Sequence, residues 1–306
     1  MPRYAIVDAP TNLGLRPGGV ERLGEALLAN GLADRLGAGV VARVEPAGYD
    51  SRRDPETMML NPAAIADHAR RLADVVAGLV ADGVFPVVLG GDCSILLGAT
   101  LGLNRLGRHG LFFLDGHADF YQADASATGE LADMELGIVT GRGPAVVADI
   151  EGRRPYVRDE DTVVFGCRDA AEATAAGSRD VRASRMRVFD AERARELGVT
   201  TAAAMAVQPD LGLHRQGPLA DGVAGFWIHL DADVLDDGVM PAVDYRQPGG
   251  LSPAEVREVL RLLLRTGRAV GLEVTIYHPS LDPTAAAGRM LASVIVDGLI
   301  GDRGVA

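Results

Sequence analysis

The stretch VVLGGDCSILLG, residues 87–98, decides the fold of this chain. A run of apolar residues ends in two glycines, then Asp92, Cys93 and Ser94 follow, and a second apolar segment begins. This pattern is typical of a buried parallel strand that feeds a helix through a tight turn. The glycines permit the turn, and Ser94 is expected to cap the helix. The turn also places a thiol at the end of a strand, in a chain with only two cysteines.

Apolar runs of the same kind recur along the chain, and helical patterns separate them. The predicted strands are residues 4–10, 40–46, 85–91, 111–117, 162–168, 186–191, 226–232 and 269–277. Residues 62–81 carry apolar side chains at helical spacing, and SPAE at 252–255 is a capping box that opens a helix to about Thr266. The alternation predicts a three-layer α/β/α fold with a mainly parallel eight-stranded sheet.

Composition narrows the class of protein. The 306 residues carry a net charge of −12, and every one of the 30 basic side chains is an arginine, with no basic stripe. We therefore expect no nucleic-acid partner. No apolar stretch approaches the ~18 residues of a membrane span, so no membrane association is expected. The N-terminus has no signal-peptide core, and two cysteines make no disulfide framework, which together predict a cytoplasmic protein.

The same patterns suggest how the chain is divided. We find no low-complexity linker and no internal repeat, so residues 1–306 are expected to form one domain. The Ala-rich stretch 170–176 and the Pro/Gly-rich stretch 208–222 are predicted to be loops. His68 and His109 are predicted to lie on the surface, and Cys167, within an apolar strand, is predicted to be part of the core.

The segment FFLDGHADFY, residues 112–121, places polar side chains at the end of a predicted strand. Asp115, His117 and Asp119 stand at alternate positions and would share one face if the strand stayed extended. One imidazole between two carboxylates is a donor set that suits Mn²⁺, Zn²⁺ or Fe²⁺. In parallel sheets, ligands bind beyond the carboxyl ends of the strands, where these residues are expected.

The segment WIHLDADVLD, residues 227–236, repeats this arrangement on another strand. Asp231 and Asp233 share a face, and His229 lies on it too. His229 is interpreted either as a core histidine satisfied by the backbone or as a group that supports metal ligands from behind. Four carboxylates at one sheet edge would repel one another, and two divalent cations would relieve that repulsion.

The motifs GGDxS, DxHxD and DxDxxD resemble, in this order, those of the arginase–agmatinase–formiminoglutamase family, the ureohydrolases. The resemblance covers nearly the whole chain. It implies a single α/β/α domain that binds two Mn²⁺ ions, and a bridging hydroxide that attacks the amidine carbon of a small guanidino or formimino compound. It also implies a homo-oligomer, a trimer or a hexamer. By position, one ion would take Cys93, Asp115, Asp119 and Asp231, and the other Asp115, His117, Asp231 and Asp233. Asp115 and Asp231 would then bridge, and Asp119 and His117 would take part in catalysis.

The thiol is the first departure from the family, in which a histidine typically follows GGD. As a thiolate ligand, Cys93 would favour Zn²⁺, Fe²⁺ or Ni²⁺ over Mn²⁺. The alternative is a small, inert buried thiol, with only one metal position well held.

The loop after DxHxD is the second departure. Ala132 stands where arginases carry a proton-shuttling histidine. Glu130, Asp133 or Glu135 could move protons instead. The alternative is that they are ordinary solvated carboxylates of an exposed loop.

The last strand is the third departure. Ile276 stands where the family usually has a glutamate that pairs with the substrate guanidinium, so we do not expect plain L-arginine as the substrate. Glu273, on the opposite face of the strand, and His278, just beyond it, are candidate substrate contacts, as are Glu130 and Asp133 in the loop after DxHxD. The alternative for His278 is an ordinary loop residue. Because of these three departures, two alternatives stay open for the chain. It could be a non-catalytic relative that binds a metal or metabolite, or a hydrolase of amides or esters.

Overall fold

The computed structural model describes residues 2–208 and 217–301, and these form the predicted three-layer α/β/α architecture. The strands are β1 (Arg3–Asp8), β2 (Val40–Arg43), β3 (Val84–Leu89), β4 (Gly110–Leu114), β5 (Thr162–Phe165), β6 (Arg187–Phe189), β7 (Phe226–Asp231) and β8 (Ala269–Thr275). All eight coincide with predicted strands. They form one sheet in the order β2-β1-β3-β8-β7-β4-β5-β6, and every pairing is parallel.

Helices cover both faces of this sheet. They are α1 (Leu23–Ala29), α2 (Leu32–Leu36), α3 (Pro62–Ala81), α4 (Ile95–Leu106), α5 (Glu135–Val139), α6 (Ala145–Ala148), α7 (Ala170–Ala175), α8 (Ala191–Leu197), α9 (Val199–Val207), α10 (Pro253–Arg265) and α11 (Ala286–Ile300). Helices α3 to α6 pack into the core on one face, and α1, α2 and α8 to α11 into the core on the other. No helix in the described ranges is long and apolar enough to cross a bilayer.

Two helices follow the sequence prediction closely. Helix α3 occupies the predicted residues 62–81. Helix α10 begins with the predicted capping box, in which Ser252 Oγ accepts from the Glu255 N–H and Glu255 Oε2 accepts from the Ser252 N–H at 2.7 Å. Each half of the box satisfies a backbone donor that the first turn of a helix leaves free.

The loop prediction for 170–176 was wrong, because residues 170–175 form the short helix α7. Alanine has the highest helix propensity, and none of the side chains in α7 is buried, so intrinsic preference rather than packing explains this turn of helix. Of the other predicted loop, residues 209–216 lie outside the described ranges, while residues 217–222 form turns.

Two histidines expected on the surface are buried. His68 in α3 is 1 % exposed, and its Nε2 lies 3.0 Å from the carbonyl oxygen of Val44. His109 is also buried, with Nδ1 3.2 Å from the carbonyl oxygen of Gly107. The surface prediction was wrong because each imidazole finds a backbone partner that offsets the cost of burial. Cys167 is buried, as predicted.

The apolar strands alternate between the two cores. In β4, Phe112 and Leu114 point into one core, and Leu111 and Phe113 into the other. Strands β3, β8, β7 and β4 lie side by side in the middle of the sheet, so the segments that follow them meet at one edge. This carboxyl edge is where parallel α/β sheets bind ligands.

Strands β4 and β7 end in the same way, and earlier than predicted for β4. Asp115 Oδ1 accepts from the N–H of His117 at 2.7 Å, and Asp231 Oδ1 accepts from the N–H of Asp233 at 2.8 Å. Such a turn bends the chain directly after the strand. β4 therefore ends at Leu114, and the condition under which residues 115, 117 and 119 would share one face, an extended strand, is not met. Asp119 has a left-handed backbone, with φ 43°.

The turn after β3 is fixed by backbone contact and by Asp92. A Cβ at Gly91 would lie 1.8 Å from the carbonyl oxygen of Thr11, so only glycine fits there. The expected cap by the Ser94 side chain was wrong, because Ser94 makes no such bond. Instead, the buried carboxylate of Asp92 accepts from the N–H of Ser94 at 2.8 Å and from that of Gly14 at 3.2 Å. Asp92 thereby fixes the backbone after Cys93 and ties this turn to the loop that contains Gly14.

Candidate metal centre

Six predicted ligands and two further residues converge at the carboxyl edge of the four central strands. They are Cys93, Asp115, His117, Asp119, Asp231 and Asp233, together with Glu135 and His229. We call His117 and Asp233 the His117 half, and Cys93, Asp119, Glu135 and His229 the Cys93 half. Asp115 has donor atoms near both halves, and Asp231 contacts Cys93 and accepts from the N–H of Asp233.

The His117 half is a hydrogen-bonded ion pair. His117 Nδ1 lies 2.8 Å from Asp233 Oδ2, and the other oxygen of Asp233 accepts from the N–H of Gly116 at 3.0 Å. Burial alone would lower the pKa of His117, but the neighbouring Asp233 and Asp115 raise it to about 10. In turn, and against the effect of burial, His117 lowers the pKa of Asp233. The side chain of His117 is 17 % exposed, so this half opens to solvent.

Cys93 contacts the carboxylate of Asp231 in the other half. Its Sγ donates to Asp231 Oδ2 at 3.1 Å, and Thr275 Oγ1 donates to the same oxygen at 2.9 Å. Burial and the negative charge of Asp231 raise the pKa of Cys93 well above its usual value. Loss of the thiol proton therefore requires a cation beside the sulfur.

Glu135 is a possible metal ligand that the sequence analysis considered only for proton transfer. It begins α5 and is fully buried, and neither of its oxygens receives a hydrogen bond from a described N–H or O–H group. Its carboxylate lies near Asp119 and Cys93, with the three donor atoms within 4.8 Å of one another. Burial raises the pKa values of Glu135 and Asp119. The sequence offered one signal for this burial: Glu135 is a single acidic residue between the apolar Met134 and Leu136.

His229 lies in β7 with its ring stacked on Phe113, the centroids 4.5 Å apart. Its Nδ1 lies 2.7 Å from Glu273 Oε1, and its Nε2 lies 3.4 Å from Asp115 Oδ2. Carboxylates rather than backbone groups surround this histidine, so the interpretation as a core histidine satisfied by the backbone was wrong. Burial would lower the pKa of His229, but Asp115 and Glu273 raise it.

The expectation that Glu273 contacts a substrate is not supported by its position. Its side chain is fully buried and hydrogen-bonds to His229, and it is not among the described residues that line the cavity above the cluster. Residues alternate between the faces of a strand, and this alternation puts Glu273 beside His229 and away from the opening. His278 does not line that cavity either. Its Nε2 lies 3.9 Å from Asp244, which does.

The cluster fits divalent cations on the chemistry of its donors. Several buried polar atoms lack a hydrogen-bond partner among the described residues: Asp115 Oδ2, both oxygens of Glu135, and His229 Nε2. Unpaired buried charges are costly, and cations bound to them would offset that cost. Carboxylate, imidazole and thiolate groups are the ligands that Mn²⁺, Fe²⁺ and Zn²⁺ take in proteins.

A cavity of about 450 Å³ opens onto this cluster. Its wall is strongly acidic, with one arginine, Arg246, among the described lining residues. The acidic lining residues are Asp119, Glu130, Asp133, Asp169, Glu172, Asp231, Asp233 and Asp244. Ile276 lines the same cavity and has a left-handed backbone, with φ 68°.

The loop carboxylates are not the exposed groups that one alternative assumed. Glu130 is 2 % exposed, accepts from the Tyr245 hydroxyl at 2.6 Å and accepts from the Arg16 N–H at 3.1 Å. Asp133 accepts from the Ser126 hydroxyl at 2.6 Å, and burial raises its pKa to about 7. The neighbouring groups hold both carboxylates in position on the cavity wall.

The protein is an α/β/α protein with an all-parallel sheet. Carboxylates, imidazoles and a thiol, the side chains that bind divalent metals, meet at the carboxyl edge of that sheet. Within that class, the chain belongs to the arginase family, whose family model matches residues 37–301. An arginase of Brevibacillus brevis is 28 % identical, with 98 % of each chain covered.

Two solved structures superpose on this chain and have the same fold. The arginase of Bacillus caldovelox superposes with a TM-score of 0.85 at 23 % identity, over 99 % of each chain. Proclavaminate amidinohydrolase of Streptomyces clavuligerus superposes with a TM-score of 0.66 at 20 % identity, over 98 % of this chain and 90 % of the other. The predicted family and fold are thereby confirmed.

Proposed function

We propose that the protein is a metal-dependent hydrolase that cleaves a non-peptide C–N bond in a small guanidino or formimino compound. The observation that carries the proposal is the convergence of the DxHxD and DxD side chains at the floor of an acidic cavity. The similarity to arginases supports the reaction class, because those relatives match over nearly their whole length.

Two divalent ions are the cofactor that this site is proposed to hold. Their ligands would come from Cys93, Asp115, His117, Asp119, Asp231 and Asp233, and Asp115 and Asp231 would bridge the two ions. The resemblance favours Mn²⁺, whereas a thiolate from Cys93 favours Zn²⁺, Fe²⁺ or Ni²⁺. Such ions supply a water of lowered pKa as nucleophile, and they stabilise negative charge on the attacked carbon's substituents.

The cavity wall would bind and orient the substrate. An amidine or guanidine is a planar cation, and the excess of carboxylates over Arg246 attracts cations and excludes anions. Glu130 and Asp133 are fixed by their hydroxyl partners, so they would orient a cationic group without a large loss of side-chain freedom.

Proton transfer would fall to carboxylates, since Ala132 supplies no imidazole. Asp119 faces the cavity beside Glu135, where one carboxylate oxygen can hold a proton and pass it to the leaving nitrogen. The apolar Ile276 wall offers no partner to an unmodified guanidinium at that position. We therefore propose a modified guanidine or a formimino compound, rather than plain L-arginine, as the substrate.

A turnover assay tests this proposal. The full chain would be loaded with Mn²⁺, Zn²⁺, Fe²⁺ or Ni²⁺ and assayed for urea and ammonia release from a panel of guanidino and formimino compounds. We expect turnover of at least one compound, with loss of turnover in Asp233→Asn. Two bound ions without turnover of any compound would contradict the proposal and favour the non-catalytic relative.

The remaining properties are proposals of the same kind. We propose that residues 1–306 form one domain, that the protein acts in the reducing cytoplasm, where its two free cysteines would stay reduced, and that it assembles into trimers or hexamers. Light scattering on a gel-filtration column should then give a mass near three or six times the 32.0 kDa chain. A monomer at micromolar concentration would contradict the assembly.

A further inference from the structure

His229 directs a free nitrogen at the acidic cluster. The ring is 0 % exposed, and its Nε2 makes no hydrogen bond to a described residue. A ring nitrogen of His229 lies within 4.8 Å of donor atoms of Cys93 and Asp231, and one lies within the same distance of donor atoms of Asp115 and Glu135. Nε2 itself lies 3.4 Å from Asp115 Oδ2. A buried imidazole nitrogen without a partner is costly unless a proton or a metal ion occupies it.

The other nitrogen of the ring is held in place. His229 and Glu273 are register partners on β7 and β8, so their side chains project from the same face of the sheet. Glu273 Oε1 lies 2.7 Å from Nδ1, and the Phe113 ring stacks on the imidazole from β4. A carboxylate that accepts from Nδ1–H fixes the tautomer that leaves the Nε2 lone pair free, which is the usual arrangement behind a metal-bound histidine.

The separation of Nε2 from the nearest donor also fits a shared ion. Nε2 and Asp115 Oδ2 are 3.4 Å apart, which is long for a hydrogen bond. Two donors that each lie about 2.1 Å from one tetrahedral ion are about 3.4 Å apart. The same two atoms both lack other hydrogen-bond partners among the described residues.

We propose that His229 is a metal ligand of the Cys93 half, with Glu273 as the residue that positions it. The proposal rests on the proposed function, since it adds a donor to the same two-ion site. In this arrangement β7 supplies an imidazole to the metal position where Cys93 stands in place of a histidine. Metal ligation would also explain why His229 and Glu273 are paired and fully buried beside the cluster, since neither residue lines the cavity or contacts His117.

Metal content tests the assignment independently of activity. The unmodified chain and the His229→Asn variant would be equilibrated with Zn²⁺, and bound zinc would be measured by elemental analysis. Asparagine can still donate to Glu273 from the position of Nδ1 but places no atom at Nε2. We expect two ions in the unmodified chain, and one ion, or binding of the second weakened at least about 10-fold, in His229→Asn.

Two further variants separate ligation from structural damage. Glu273→Gln should keep two ions but weaken one of them by about 10-fold or more, because the ring loses its charged partner. His68→Asn is the matched control, since His68 is equally buried but bonds to a backbone carbonyl outside the cluster, and its zinc content should equal that of the unmodified chain.

A measurement on the unmodified chain covers the case in which His229→Asn does not fold. X-ray absorption of the zinc-loaded protein should show two imidazoles per pair of ions, whereas His117 alone would give one. Two tightly bound ions in folded His229→Asn, or one imidazole per pair, would overturn this assignment and leave the proposed function intact. If the unmodified chain binds no divalent ion, both proposals fail.

Discussion

The two halves of the cluster balance charge in different ways. In the His117 half, an imidazole and a carboxylate satisfy each other at 2.8 Å, a backbone N–H supplies a further bond, and the group reaches solvent. In the Cys93 half, Glu135 and His229 are fully buried, and both oxygens of Glu135 and Nε2 of His229 lack a hydrogen-bond partner among the described residues. The first half pairs its charges internally, whereas the second contains buried polar atoms that bound protons or metal ions would satisfy. The comparison indicates that the Cys93 half depends more on bound metal for its stability.

The largest effect should come from a residue that serves both halves. Asp231→Ala should lose both ions and at least about 10³-fold in activity, because a bridging carboxylate contributes to each position. Elemental analysis and turnover measure the effect, and Asp221→Ala, at an exposed position, is the control. Full metal content in Asp231→Ala would place the metal site elsewhere.

A change confined to the His117 half should remove one ion in preference to the other. Asp233→Ala takes away a carboxylate and leaves His117 without its 2.8 Å partner, while Cys93, Asp119 and Glu135 are unchanged. We expect about one ion per chain and a large loss of turnover. Equal loss of both ions would show that the two halves do not bind independently.

Metal removal should affect the Cys93 half more strongly. Ligand present at 100 times its dissociation constant stabilises a folded protein by about 2.7 kcal/mol, and a chain of this length unfolds with an entropy of about 0.6 kcal/mol/K, so removal of each ion should lower the melting temperature by about 4 °C. Hydrogen exchange should then rise more in residues 135–139 than in residues 115–117. A uniform rise in both segments would remove the distinction between the halves.

The sequence predicted the strands well but not where they end. All eight strands coincide with predicted apolar runs, because strands buried on both faces carry a nearly continuous apolar signal. The turn made by Asp115 ends β4, and Asp119 beyond it has a left-handed backbone. A side chain that bonds to the backbone two residues later leaves no periodic signal in the sequence. The end of β4 was therefore not predicted, and Asp115, His117 and Asp119 do not share the face of an extended strand. They still converge at the cluster.

The Cys93 half was harder to predict because its donors come from separated elements. Glu135 reaches the cluster from α5, and its contact with Cys93 depends on the course of the intervening loop. The pairing of His229 with Glu273 depends on β7 lying beside β8, and the strand patterns alone do not give the order of the strands in the sheet. Neither contact has a sequence motif of its own.

The smallest effect should come from exchanging the thiol for the imidazole typical of the family. Cys93→His is expected to fold, to raise Mn²⁺ occupancy in the Cys93 half, and to move the alkaline activity profile to lower pH. The sign follows from charge: a thiolate adds a negative charge that disfavours loss of a proton from bound water, and a neutral imidazole removes that charge.

Cys93→Ala separates ligation from simple packing. If the thiol is a ligand, metal analysis of this variant should show the Cys93 half only partly occupied. Two fully bound ions in Cys93→Ala would mean that the thiol is inert, and the difference between the halves would then rest on Glu135 and His229.

The left-handed backbone of Ile276 has a consequence for how this cavity can change under selection. A β-branched residue at φ 68° costs on the order of 1–3 kcal/mol, and the bond from its N–H to the Gly91 carbonyl at 2.8 Å holds it there. Glycine at this position would relieve the backbone strain, but it would also remove a buried apolar side chain that packs in the core and lines the cavity. Mutational searches for heat tolerance and for altered substrate preference would therefore both act on the codon for residue 276, and a change that opens the cavity would be made at the expense of core packing.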